Sequence, residues 1–288
     1  MRLVPASTLL FTFGVALPAL AGAQEPRPSE AFFDSDGVRI RYVVQGSGPP
    51  VLLVHGIALS AELGWASLGI LDSLAARYTV IAPDLRGHGA SEKPKNPEAY
   101  GIHFVNDLVR LLDHLQIQRA HVVGYSMGSV IALKLLTTHP ERVLSAVLGG
   151  GGWRPAASAP PEFVVTWLQG LDRAAQAGTD VAEVFRRPGW PPLPPEVIAG
   201  LNRNDPAALA AVLRGDASLT VSEPELRANE VPVLAVVGET DQEARGDVER
   251  MGGVLANSRV AIIPEANHVT ALTHPMLLEA ITGFLSSH

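Results

Sequence analysis

Six short runs of the chain are almost continuously apolar: residues 51–55 (VLLVH), 78–83 (YTVIAP), 120–124 (AHVVG), 144–148 (LSAVL), 233–237 (VLAVV) and 260–263 (VAII). Strands covered by helices on both faces read this way, whereas residues 38–44 (VRIRYVV) alternate as a half-exposed strand should. Longer stretches between them carry a helical period. Across residues 104–115, Val105, Leu108, Val109, Leu112 and Leu115 share one face, and residues 126–138, 248–256 and 275–285 predict further helices. Strand–helix alternation implies an α/β fold, with a mostly parallel, doubly wound sheet and right-handed crossovers.

The alternation stops between about residues 153 and 230, a segment holding the run 188–195 (PGWPPLPP) and a short helical pattern at 206–213. It is too long for a loop inside a compact domain and reads as a helical insertion, a cap. Its aromatics Trp153, Phe163, Trp167, Phe185 and Trp190 either line an apolar pocket or form the insertion's own small core. With this insertion, one domain is expected over residues 31–287.

The start of the chain changes the picture. Residues 9–20 (LLFTFGVALPAL) form an apolar run behind Arg2, followed by the small residues Ala21, Gly22 and Ala23. The run is short of the roughly 20 residues that span a bilayer. It predicts a cleaved secretory signal over residues 1–23, a polar lead-in over 24–30, a periplasmic or secreted protein and no stable membrane anchor. The absence of cysteine excludes disulfides, thiol catalysis and thiolate metal sites. A net charge of -7 argues against nucleic acid as a partner. Nothing in the pattern specifies an oligomeric state.

Candidate chemistry concentrates in Gly124-Tyr125-Ser126-Met127-Gly128, a G-x-S-x-G between a predicted strand and a predicted helix. Such a turn lifts the serine hydroxyl clear of the sheet at the positive end of the helix. A serine needs a base. Of the downstream histidines, His139 lies at the far end of the helix that starts at the serine, and His274 reads as a helix cap. His268 follows the last strand, where a loop at the sheet's carboxyl edge can reach back to Ser126. Glu239 and Asp241 both follow the strand 233–237, and Asp241 is better placed to bend inward. An oxyanion hole would take the backbone N–H groups of Met127 and Ile57. His55, before Gly56, is expected to shape that turn.

These motifs resemble the α/β-hydrolase superfamily, in its branch of lid-bearing esterases and related hydrolases. The matching stretches are VLLVHG, APDLRGHGASEKP, HVVGYSMGSVIALKLLTTHPERV, VPVLAVVGETD and IPEANH, while the insertion matches nothing comparable. The resemblance implies a catalytic Ser126, Asp241 and His268 in the family's chain order, acyl transfer from a small ester-like substrate, no cofactor and no metal. Dehalogenases and epoxide hydrolases of this family carry Asp at the elbow, and Ser126 argues against both. Asp84, Arg86, His88 and Ser91 resemble a turn that braces the sheet edge. Lactones, amides and C–C bonds are alternatives on the same triad, and a non-catalytic ligand-binding receptor is an alternative of another class.

Export has a direct test. Protein isolated from its native host should begin at or near Gln24 by N-terminal sequencing, and a soluble cytosolic form retaining Met1 would overturn the expectation.

Overall fold

Neighbouring residues on a strand face opposite sides of a sheet, and a central strand must bury both. A computed structural model describes residues 29–155, 158–187, 190–242 and 244–288. The expected signal, residues 1–23, and the lead-in through residue 28 lie outside the described residues. The strands are β1 Ser29–Ser35, β2 Val38–Gln45, β3 Pro50–Val54, β4 Thr79–Pro83, β5 Ala120–Tyr125, β6 Val143–Gly149, β7 Val233–Gly238 and β8 Ser258–Ile263. They form one sheet in the order β1-β2-β4-β3-β5-β6-β7-β8. The β1–β2 and β2–β4 pairs are antiparallel and all the others parallel. The helices are α1 Ile70–Ala75, α2 Ile102–His114, α3 Met127–Thr138, α4 Glu162–Ala177, α5 Val181–Val184, α6 Pro195–Leu201, α7 Pro206–Gly215, α8 Glu223–Arg227, α9 Arg245–Val254, α10 His268–Leu272 and α11 Pro275–Leu285.

The two-residue period divides the core. Leu52, Val54, Ile81, Val122 and Leu148 face α2 and α3. Val51, Leu53, Val80, Val123 and Val147 face α1 and α11. Burying each such side chain is worth about 1.5–3 kcal/mol, so helices on both faces are what these sequences require. The α/β-hydrolase fold and its mostly parallel sheet are therefore observed.

Two strands differ from the pattern. β1 takes in Ser29 and Glu30, which the polar composition assigns to the lead-in. It pairs with β2, buries Phe33 and sets Phe32 under Arg39. β8 is apolar but lies at the sheet edge, with Val260 40% and Ile262 41% exposed, so its composition does not mean cover on both faces. No helix among the described residues is long and apolar enough to cross a membrane.

Helices α4 to α8 lie between β6 and β7, and α4 to α7 carry a cluster of their own, built on Trp167, Leu171, Val181, Phe185, Leu201 and Leu209. The cluster also takes in Ala58, from the loop after β3. The five aromatics divide three ways. Trp167 and Phe185 are cap core, Phe163 and Trp190 pack against that core while lining a cavity, and Trp153 belongs to the main core with its N–H donating to Val221 O.

This division is testable. Trp167→Ala should cost about 3–5 kcal/mol of stability by urea unfolding, and Trp190→Ala clearly less. Equal losses would overturn the division.

Candidate active site

β5 ends at Tyr125 and α3 begins at Met127, leaving Ser126 alone in the turn at φ 55° and ψ −122°. The close approach explains the flanking glycines. A Cβ on Gly124 would strike the Gly128 carbonyl, and one on Gly128 the Val54 carbonyl. The Ser126 N–H donates to Gly149 O at 2.8 Å, tying the turn to β6.

His268 is the first residue of α10. The preceding Asn267 caps that helix by accepting from the N–H groups of Val269 at 3.0 Å and Thr270 at 2.9 Å. This capping is the local reason an asparagine precedes the histidine. The Tyr125 hydroxyl donates to His268 O at 2.7 Å, so the residue beside the serine also holds the histidine's backbone. Burial pushes the Tyr125 pKa well up and keeps it a neutral donor.

The structure brings Ser126, His268 and Asp241 into one line. Ser126 Oγ donates to His268 Nε2 at 3.0 Å, and His268 Nδ1 donates to Asp241 Oδ2 at 2.9 Å. The Asp241 side chain is 0% exposed, and its Oδ1 accepts from Ala244 N–H at 3.1 Å. Glu239 is exposed and turned elsewhere, its Oε2 accepting from Glu265 N–H at 2.9 Å. His274 caps α11, accepting from Met276 N–H, and His139 sits beside Glu141 at the far end of α3.

The backbone N–H groups of Met127 and Ile57 donate to no other protein group among the described residues. Met127 opens α3, where the first N–H groups have no intrahelical acceptor. Ile57 is aimed by its neighbour. His55 Nδ1 donates to Gly56 O at 2.8 Å, the carbonyl of the same peptide unit that carries the Ile57 N–H. A trans peptide points these two groups in opposite directions.

A cavity of about 600 Å³ reaches His268 and Asp241, lined also by Phe163, Arg187, Trp190 and Thr240. The Trp190 ring stacks on His268 with centroids 6.1 Å apart and planes 12° from parallel. Ser126 is not among its described lining residues. No group of three or more His, Asp or Glu that could hold a metal occurs among the described residues. A wound sheet carrying this line of side chains at its carboxyl edge defines an α/β-hydrolase-type protein.

The chain belongs to the alpha/beta hydrolase fold family, whose model matches residues 49–275. It is 29% identical to the putative 2-succinyl-6-hydroxy-2,4-cyclohexadiene-1-carboxylate synthase of Bacillus subtilis, over 88% of this chain and 97% of that protein. A hydrolase from Pseudomonas aeruginosa has a similar structure, with a TM-score of 0.75, 25% identity, and coverage of 89% of this chain and 98% of the other. A thermophilic esterase from Thermogutta terrifontis superposes with a TM-score of 0.71 and 25% identity, over 91% and 99%.

The turn after β4 braces these loops from below. Asp84 accepts from Ala61 N–H and Ala90 N–H, each at 2.8 Å, and Arg86 pairs with the buried Asp107. Leu85 N–H donates to His55 Nε2 at 3.0 Å, which together with the Gly56 bond fixes His55 as a neutral imidazole. His88 lies 5.2 Å away, ring to ring, with Nδ1 donating to Arg86 O. Burial lowers the pKa of His55 to about 4 and that of His88, with a further push from His55, to about 3. Unfolded, both would protonate near 6.5. Their contribution is therefore intact above that pH and lost as pH falls toward 4 and 3, by up to about 1.4 kcal/mol per histidine per pH unit. Urea unfolding between about pH 6.5 and 5, where carboxylates stay ionised, should show this slope, and His88→Asn should flatten it. An unchanged slope in that variant would overturn the assignment.

Proposed function

We propose that the protein is a serine hydrolase that cleaves carboxylic esters through an acyl-enzyme on Ser126. The observation that carries this reading is the unbroken line from Ser126 Oγ through His268 to the buried Asp241 carboxylate. Ser126 Oγ attacks the ester carbonyl carbon as its proton passes to His268 Nε2. Asp241 stabilises the resulting imidazolium and holds its tautomer. The carbonyl oxygen, now an anion, takes hydrogen bonds from Met127 N–H and Ile57 N–H. His268 returns the proton to the leaving alcohol oxygen, and a water deprotonated by the same Nε2 releases the acid.

The likeness to a solved esterase supports the ester as substrate. Trp190 and Phe163, beside His268 in the cavity, are suited to an apolar acyl or alcohol group. A chromogenic ester series of rising acyl length, run beside lactones, amides and diketones, tests the bond type. Efficient turnover of any of the latter with none of the esters would overturn it.

Substitution kinetics test the roles. Ser126→Ala and His268→Ala should each cost about 10⁶-fold in kcat, because nucleophile and base act as a unit. Asp241→Asn should cost about 10⁴-fold. Glu239→Gln should stay near normal, since its side chain serves the Glu265 turn. An active Ser126→Ala would sink the mechanism, and a crippled Glu239→Gln beside a healthy Asp241→Asn would move the acid.

A further inference from the structure

The insertion reaches the candidate oxyanion hole directly. Gly56 to Leu59 form a turn closed by Leu59 N–H donating to Gly56 O at 3.3 Å. Its third residue, Ala58, stands at φ 59°, a left-handed conformation that glycine or asparagine adopts more readily. Ala58 has no polar side chain with which to hold that conformation, so the hold must come from outside.

It comes from Asn204, in the turn between α6 and α7. Asn204 Nδ2 donates to Ala58 O at 2.8 Å and to Leu201 O at 3.0 Å. Two carbonyl acceptors fix which end of the amide faces the loop. Among the described residues no protein group donates to the buried Oδ1 of the same amide, so its Nδ2 alone ties Asn204 to the loop. Ala58 is also 1% exposed within the cap cluster beside Leu201 and Leu209. Ile57 and Ala58 thus lie between two anchored peptides, 56–57 and 58–59. His55 holds Gly56 O from the body of the domain, and Asn204 holds Ala58 O from the insertion.

We propose that Asn204 is a positioning residue for the oxyanion hole: by holding Ala58 in its left-handed conformation it aims the Ile57 N–H, so the insertion is part of the catalytic machinery as well as a cover. The inference rests on the acyl-transfer reading above. It separates two ways a cap can matter. A cover that only shapes the pocket acts on KM and substrate range, whereas a cap that aims a transition-state donor acts on kcat.

The test uses the full chain carrying Asn204→Ala, Ala58→Gly, or both, with a cleavable ester and with phenylboronic acid. Ser126 Oγ adds to the boron of that probe as its proton passes to His268 Nε2, giving an anionic tetrahedral adduct whose oxygen can occupy the hole. Removing a whole donor costs about 10²–10³-fold in kcat, so misaiming one through Asn204→Ala should cost roughly 10- to 100-fold. KM should stay within about twofold, and phenylboronic acid affinity should fall in proportion to kcat. Adding Ala58→Gly should recover most of both losses, because glycine takes the positive φ without strain.

A folded Asn204→Ala with unchanged kcat and boronate affinity would overturn the proposal. So would a loss confined to KM, or a double variant no better than the single one. Should Asn204→Ala fail to fold, the less strained double variant decides. Boronate affinity within about threefold of the unmodified enzyme supports the proposal, and a tenfold loss overturns it. Turnover of no ester by an enzyme that still takes phenylboronic acid would defeat the ester reading alone, and the boronate comparison would still decide the role of Asn204.

Discussion

Ser126 at φ 55° occupies a backbone region that costs an L-residue on the order of 1–3 kcal/mol, and it keeps that conformation only because its surroundings allow no other. Before it, β5 is buried between β3 and β6, and after it α3 packs so close to β3 that only glycine fits at position 128. The hydrogen bond from Ser126 N–H to Gly149 O closes the constraint. A sheet whose central strands were less buried could not hold this turn. The apolar strands thus set the hydroxyl's position as well as the fold's stability.

From that fixed point the other groups are positioned by ties between loops. His268 lies 142 residues from Ser126, and Asp241 lies 27 from His268, yet the strand order brings the ends of β5, β7 and β8 to one edge. Tyr125 holds the His268 carbonyl, and Thr240 N–H donates to Ala266 O at 2.9 Å. Glu239, by holding Glu265 N–H, braces the turn before the histidine. Each tie joins two of the loops that carry Ser126, Asp241 and His268. The relative placement of these three side chains is therefore overdetermined.

What the sequence reveals and what it conceals follow the range of the interactions. The elbow is legible because its cause is local, in two glycines flanking a serine between a strand and a helix. His268 and Asp241 are legible because parallel strands end at a common edge. The N-cap role of Asn267 could have been read from the threonine three residues on, since Asn267 N–H donates to Thr270 Oγ1 at 2.8 Å in a reciprocal box. The exposure of β8, the three fates of the cap aromatics and the reach of Asn204 to Ala58 are different. They depend on tertiary packing between segments up to 146 residues apart, for which no short-range pattern exists.

The contrast between two histidines shows how burial assigns roles to identical side chains. His55 is 0% exposed, with Nδ1 donating to Gly56 O and Nε2 accepting from Leu85 N–H. Both ring nitrogens are committed, and its pKa near 4 keeps it neutral at physiological pH, so it cannot take up a proton there. His268 keeps 13% of its side chain exposed, with Nε2 facing a hydroxyl and Nδ1 facing a carboxylate. Only the second environment offers both a proton donor to act on and a charge to stabilise the imidazolium that results. The first instead gives a rigid neutral strut beneath the loop that carries Ile57. A protonated ring there would lose the acceptor that Leu85 N–H requires and would release the loop.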